Sequence, residues 1–125
     1  MEFIHDPNGP TPRGPYSPAV RSGNTLYISG QVPFDPVSGK LVGSDITGQT
    51  EQTMKNLSAL LQTVGLTFKN VVKTTVYLAD WDDFAKFNEE YSRFMGDHKP
   101  ARATVEVSRL GGDSLLEIEV IAECN

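Results

Sequence analysis

Two hydrophobic periods take turns along the chain, and their order predicts most of its architecture. Residues 25–30, "TLYISG", alternate apolar and polar positions, which predicts a strand, and the Pro- and Gly-rich run "QVPFDPVSGKLVG" predicts the turn after it. From Thr47, an expected N-cap, to Val64 the period lengthens. Met54, Leu57, Leu60, Leu61 and Val64 recur at helical spacing, and Gly65 supplies a stop. "NVVKTTVYLAD" is β-branched and aromatic enough for a strand. Asp80 is then expected to cap a second helix, with Asp83 in its first turn and Phe84, Phe87, Tyr91 and Phe94 along one face, ending before Pro100. Two strands follow, "ARATVEV" and "LLEIEVIAE", joined by "SRLGGDS", whose paired glycines suit a tight connection. A short extra strand is expected near Ala19 and Val20.

This order predicts an α+β fold: one mixed sheet with both helices on one face. The other face carries apolar residues from several strands, and a homo-oligomer in which sheets meet around an axis would cover it. No repeat or linker divides the chain, so residues 1–125 read as one domain. Residues 1–13, interrupted by prolines, read as a loosely ordered N-terminal arm.

Composition changes this picture mainly by exclusion. The 125 residues, 38% hydrophobic and 22% charged, are those of an ordinary globular domain rather than a disordered or fibrous chain. No apolar run is long enough to cross a bilayer. The start, "MEFIHDPNGPTPRGPYSP", lacks a signal-peptide core and the Arg-rich character of an organelle presequence, so a cytoplasmic protein is expected. A net charge of −5 with dispersed basic residues argues against nucleic acid as a partner. The single cysteine, Cys124, has no internal partner and is expected to be a surface thiol at a frayed end.

The candidate chemistry begins at "HKPARATVEV". Ala101, Ala103, Val105 and Val107 fall on one side of the alternation, expected to face a core, and Arg102, Thr104 and Glu106 fall on the other. In the last strand Glu117 and Glu119 oppose Leu116, Ile118, Val120 and Ala122. An arginine fork matches a carboxylate in two parallel bonds, and a glutamate whose pKa burial has raised can take a proton from water. If the two strands lie near one another, Arg102 and Glu117 could serve a small acid that is to be hydrolysed, with the Tyr16 hydroxyl as an orienting donor. By spacing alone, such an Arg and Glu are more often a structural ion pair, and a tyrosine after a proline is more often a packed loop aromatic. His5 and His98 have no companions at metal-ligand spacing, and no Gly-x-Ser-x-Gly context supports serine hydrolase chemistry.

Five segments, "GPYSPAV", "LYISGQVPFDPVSGKLV", "VVKTTVYLADWDDFAKFNEEY", "KPARATVEVSRL" and "LEIEVIAE", occur in an order that resembles the reactive-intermediate deaminase family, also called the RidA/YjgF or endoribonuclease L-PSP family. The resemblance implies a chorismate-mutase-like fold, a homotrimer with clefts between subunits, and hydrolysis of 2-imino or 2-enamino acids such as 2-aminoacrylate to 2-keto acids and ammonia, without metal or organic cofactor. It implies that Arg102 grips the substrate carboxylate, Glu117 activates the water and Tyr16 lines the same cleft. Ser29 and Gly30 would form the pocket wall. Thr104 stands where many members have cysteine, at a position whose main-chain carbonyl is the expected contact to the substrate nitrogen. The resemblance leaves two alternatives: a binding module that senses keto or amino acids without turnover, and the single-strand endoribonuclease and translation-inhibitor activity of some relatives.

Overall fold

The computed structural model describes residues 1–125. Six strands form one sheet: β1 (Glu2–Ile4), β2 (Ala19–Ser22), β3 (Thr25–Gln31), β4 (Val71–Leu78), β5 (Ala101–Glu106) and β6 (Leu116–Glu123), in the spatial order β1-β2-β3-β6-β4-β5. Only β4 and β5 pair in parallel, as expected for strands joined by a crossover helix. Two helices, α1 (Ile46–Thr63) and α2 (Phe84–Met95), cover one face.

Why that face attracts them is visible strand by strand. Leu26 and Ile28 of β3, Val76 and Leu78 of β4, and Leu116, Ile118, Val120 and Ala122 of β6 are all buried. They meet Met54, Leu57, Leu60 and Leu61 of α1 and Phe87 and Tyr91 of α2 in one continuous core. Asn56 of α1 is also buried, and its amide donates to the Phe34 carbonyl at 2.9 Å, which ties the loop after β3 to the helix.

Several expectations are corrected. Asp45, not Thr47, caps α1, its side chain accepting from the Gly48 amide at 2.9 Å. Asp80 caps a short 3-10 turn (Trp81–Asp83) rather than α2 itself, which begins at Phe84 with Asp83 in the cap position making no side-chain cap bond. The arm expected to be loose over residues 1–13 starts as a sheet strand, with Phe3 opposite Val20. Cys124 is buried rather than a surface thiol, its amide bonded to the Asn24 carbonyl at 2.7 Å.

The largest difference concerns β5. It is an edge strand, and Ala101, Ala103 and Val105 are exposed rather than packed on a core. The last two strands, for which a tight connection was expected, are not neighbours, because β4 lies between β5 and β6.

Candidate functional site

The register of the sheet assigns each candidate side chain to a face. One row runs Ile4, Ala19, Ile28, Val120, Thr74, Arg102 across all six strands, and its first five members are buried under the helices. Arg102 therefore ends a helix-side row and projects toward α2. Tyr77 pairs with Glu117 on one side and Val105 on the other, and this row points away from the helices. Arg102 and Glu117 consequently lie on opposite faces of the sheet.

At the α2 side, the Arg102 guanidinium sits 5.1 Å from the Tyr91 ring centroid, 5.5 Å from Phe87 and 5.8 Å from Phe84. These distances are those of cation–π contacts. No carboxylate of the chain pairs with it: the ion pairs join Lys55 to Glu51, Arg93 to Glu90 and Arg109 to Asp113. The structural ion-pair reading of Arg102 with Glu117 thus fails within one chain. Behind the rings, Tyr91 Oη and Thr74 Oγ1 are 3.0 Å apart, and Trp81 stacks on Phe84 with centroids 4.5 Å apart. Asn88 shares the groove with Arg102, and Asn88 Oδ1 and Thr104 Oγ1 are both buried without a hydrogen-bond partner. Asn88 was missed from sequence. The available signal was a polar residue on the stripe of Phe84 and Tyr91, four positions after one and three before the other.

The other face holds the second group. Gly30 lies beneath Glu117: a Cβ there would overlap Glu117 Oε2 and stand 2.7 Å from its Cδ. Burial raises the Glu117 carboxyl above its ordinary pKa of 4.5, and the neighbouring charge of Glu119 adds to the rise. Glu119 itself accepts from the Tyr77 hydroxyl at 2.7 Å. Ser29 Oγ donates to the Ser17 carbonyl at 2.7 Å, and this bond sets the loop that carries Tyr16 beside Gly30. Tyr16 is half-exposed rather than packed, and its hydroxyl accepts from the Arg13 amide at 3.2 Å. Arg13 in turn donates to the Gly39 carbonyl at 2.7 Å and lies 3.9 Å from the Phe34 ring centroid, bracing the loop. A small cavity lined by Tyr16, Gly30, Phe34 and Leu60 opens behind it.

The chain thus presents two half-sites: an unpaired cation on an aromatic shelf, and a carboxyl of raised proton affinity over a glycine. The fold, one mixed six-stranded sheet with two helices on one face, defines a single-domain chorismate-mutase-like α+β protein. The endoribonuclease L-PSP family profile matches residues 7–124, and the chain belongs to that family, the RidA/YjgF family that its motifs resemble. A RutC family protein of Pyrococcus horikoshii is 51% identical over 121 residues, covering 97% of this chain and 96% of the relative. Among solved structures, the YjgF gene product of E. coli superimposes with a TM-score of 0.94 at 38% identity, and E. coli TdcF with bound serine does so with 0.94 at 34%; each comparison covers 100% of both chains.

Proposed function

We propose that this protein hydrolyses reactive 2-imino and 2-enamino acids to 2-keto acids and ammonia, in clefts formed between copies of the chain. The observation that carries the proposal is Arg102, a permanently charged fork held over three rings and left without a counterion. An exposed guanidinium flanked by aromatic faces and free of a carboxylate partner suits a planar carboxylate in bidentate contact. Because Glu117 faces the other way within its own chain, a cleft that uses both residues takes Arg102 from one copy and Glu117, with Gly30 and Tyr16, from another. The trimer implied by the family provides such clefts and covers the exposed sheet face, on which Phe3, Val20, Tyr27 and Ile121 form one row.

In this cleft Arg102 fixes the substrate carboxylate and places C2 within reach of a water held by Glu117. As the new C–O bond forms, the Glu117 carboxylate takes a proton from the water and the imine electron pair moves onto nitrogen. That proton passes to nitrogen to give the neutral carbinolamine; Glu117 then carries the hydroxyl proton to nitrogen as the C–O bond becomes a carbonyl and the C–N bond breaks, leaving the 2-keto acid and ammonia. A carboxyl with raised proton affinity is the stronger base for the first step.

A binding module for keto or amino acids is the second reading, favoured by the serine bound to E. coli TdcF. It uses Arg102 and has no need of Glu117. The test measures keto-acid and ammonia release from imines generated in situ by an amino-acid oxidase. Wild type is expected to accelerate release, with Arg102→Ala and Glu117→Gln both inactive while folded. A wild type that binds keto acids but leaves the imine half-life unchanged supports the binding module instead.

A further inference from the structure

The chain carries a net charge of −5, yet the open groove that holds Arg102 is cationic. Tyr91, Ser92 and Met95 of α2 form its floor, and the connection from α2 to β5 forms its wall, with Gly96 and Lys99 on it. No aspartate or glutamate lines it, and neither Arg102 nor Lys99 takes part in an ion pair of the chain. The guanidinium lies against Phe84, Phe87 and Tyr91, whereas Lys99 follows the helix end at Met95, so the two charges are set apart along the groove. A cation just past a helix often serves the carbonyls of the last turn. Here backbone amides already take that place: Gly96 donates to the Ser92 carbonyl at 2.9 Å, and His98 to the Met95 carbonyl at 3.1 Å. The His98 ring is occupied as well, its Nε2 2.7 Å from the Val71 carbonyl. Lys99 is left exposed, with no partner assigned to it by the fold.

We propose that Lys99 forms a second anion subsite in this groove, so that the preferred substrates are 2-imino acids whose side chain ends in a second carboxylate. The inference rests on the reading of Arg102 as the anchor for the first carboxylate. With that group on the guanidinium, a short side chain lies along the floor of Tyr91 and Met95 and brings its own carboxylate to the Lys99 ammonium. From Tyr91 to Gly96 the helix advances roughly 7.5 Å, a span that a side chain ending at C3 does not use. The two cations play different parts. Arg102 fixes the plane of one carboxylate by a two-bond contact, whereas a compact ammonium on a flexible stem takes the other over a range of lengths. Like charges along one groove repel each other, and a dianion relieves both where a monoanion answers only one.

Calorimetric titration with 2-oxoglutarate and with 2-oxopentanoate tests the subsite apart from turnover, because these stable keto acids of equal chain length end in a carboxylate and a methyl respectively. Wild type is expected to bind 2-oxoglutarate at least about tenfold more tightly at low salt. That advantage should shrink as ionic strength rises. Lys99→Met, which keeps the length of the side chain, should bring the two affinities together, and Lys99→Glu should reverse their order. Equal affinities in the wild type overturn the proposal. A preference that survives both variants overturns it too, since the second carboxylate is then held elsewhere. Equal weakening of both ligands in Lys99→Met also overturns it, because Lys99 then supports the groove rather than the second carboxylate. If wild type binds neither keto acid, the Arg102 anchor fails and the subsite with it. A dicarboxylate preference that depends on Lys99, without imine turnover, removes the catalytic reading and leaves the subsite standing.

Discussion

Glu117 is held where its charged form is least favoured, half-buried with Glu119 beside it and no cation in contact. The sign of the consequence follows from linkage. A carboxyl whose pKa is higher in the folded than in the unfolded chain stabilises the fold at low pH, and that contribution is lost as pH rises through the folded value. Glu117→Gln should therefore raise the melting temperature relative to wild type at pH 7, and the gain should vanish below the ordinary carboxyl pKa of 4.5. Thermal melts of both proteins across pH check this, and equal differences at pH 7 and pH 4 would contradict it. Gly30 is tied to the same carboxyl. A Cβ at this position meets Oε2, Cδ and Cγ of Glu117, so the whole side chain must swing aside; Gly30→Ala should fold with a modest loss of stability yet lose most activity, because the added methyl occupies the place of the carboxylate. Paired melting and turnover measurements would separate that outcome from simple unfolding.

At the scale of elements, sequence pattern was most reliable where one face of an element is buried. The stripe Met54, Leu57, Leu60, Leu61 predicted α1 because those residues sit on the core, and Gly65, at φ +75°, ends the helix as expected of a residue that tolerates the left-handed region. The α1 start was misplaced because Thr47 and Asp45 are both plausible caps. Only Asp45 has its oxygen on the Gly48 amide. Asp45→Ala should cost about 1 kcal/mol in chemical denaturation, with Thr47→Ala near neutral. β5 was misread for a different reason: alternation identifies two faces but not which one is covered, and on an edge strand neither need be a core. β1 was missed because three residues, Glu2–Ile4, are too few to establish a period.

For the whole molecule, the identities of Arg102, Glu117, Gly30, Ser29, Tyr16 and Thr104 as candidates were legible, but their relative placement was not. That placement depends on β4 entering between β5 and β6, a long-range pairing that leaves no local trace in "ARATVEV" or "LEIEVIAE". The resulting opposition of faces yields a prediction of its own. Arg102→Ala and Glu117→Gln, each inactive alone, should regain about a quarter of wild-type activity when unfolded together at equal amounts and refolded, since random assembly of a cyclic oligomer gives that share of intact clefts. Subunits that carried both groups in one cleft would recover nothing, and the assay distinguishes the two arrangements directly.

A half-site on each face of one sheet also ties reaction order to assembly. On the proposed reaction a lone chain would hold the anchor and the base without bringing them to one substrate, so diluting the protein below its association range should remove activity before anything unfolds. Specific activity should then decline with dilution while the circular dichroism per residue stays unchanged, and lag phases should follow rapid reconcentration. For a catalyst of the proposed design, abundance would set not only how many active centres form but whether each chain belongs to one.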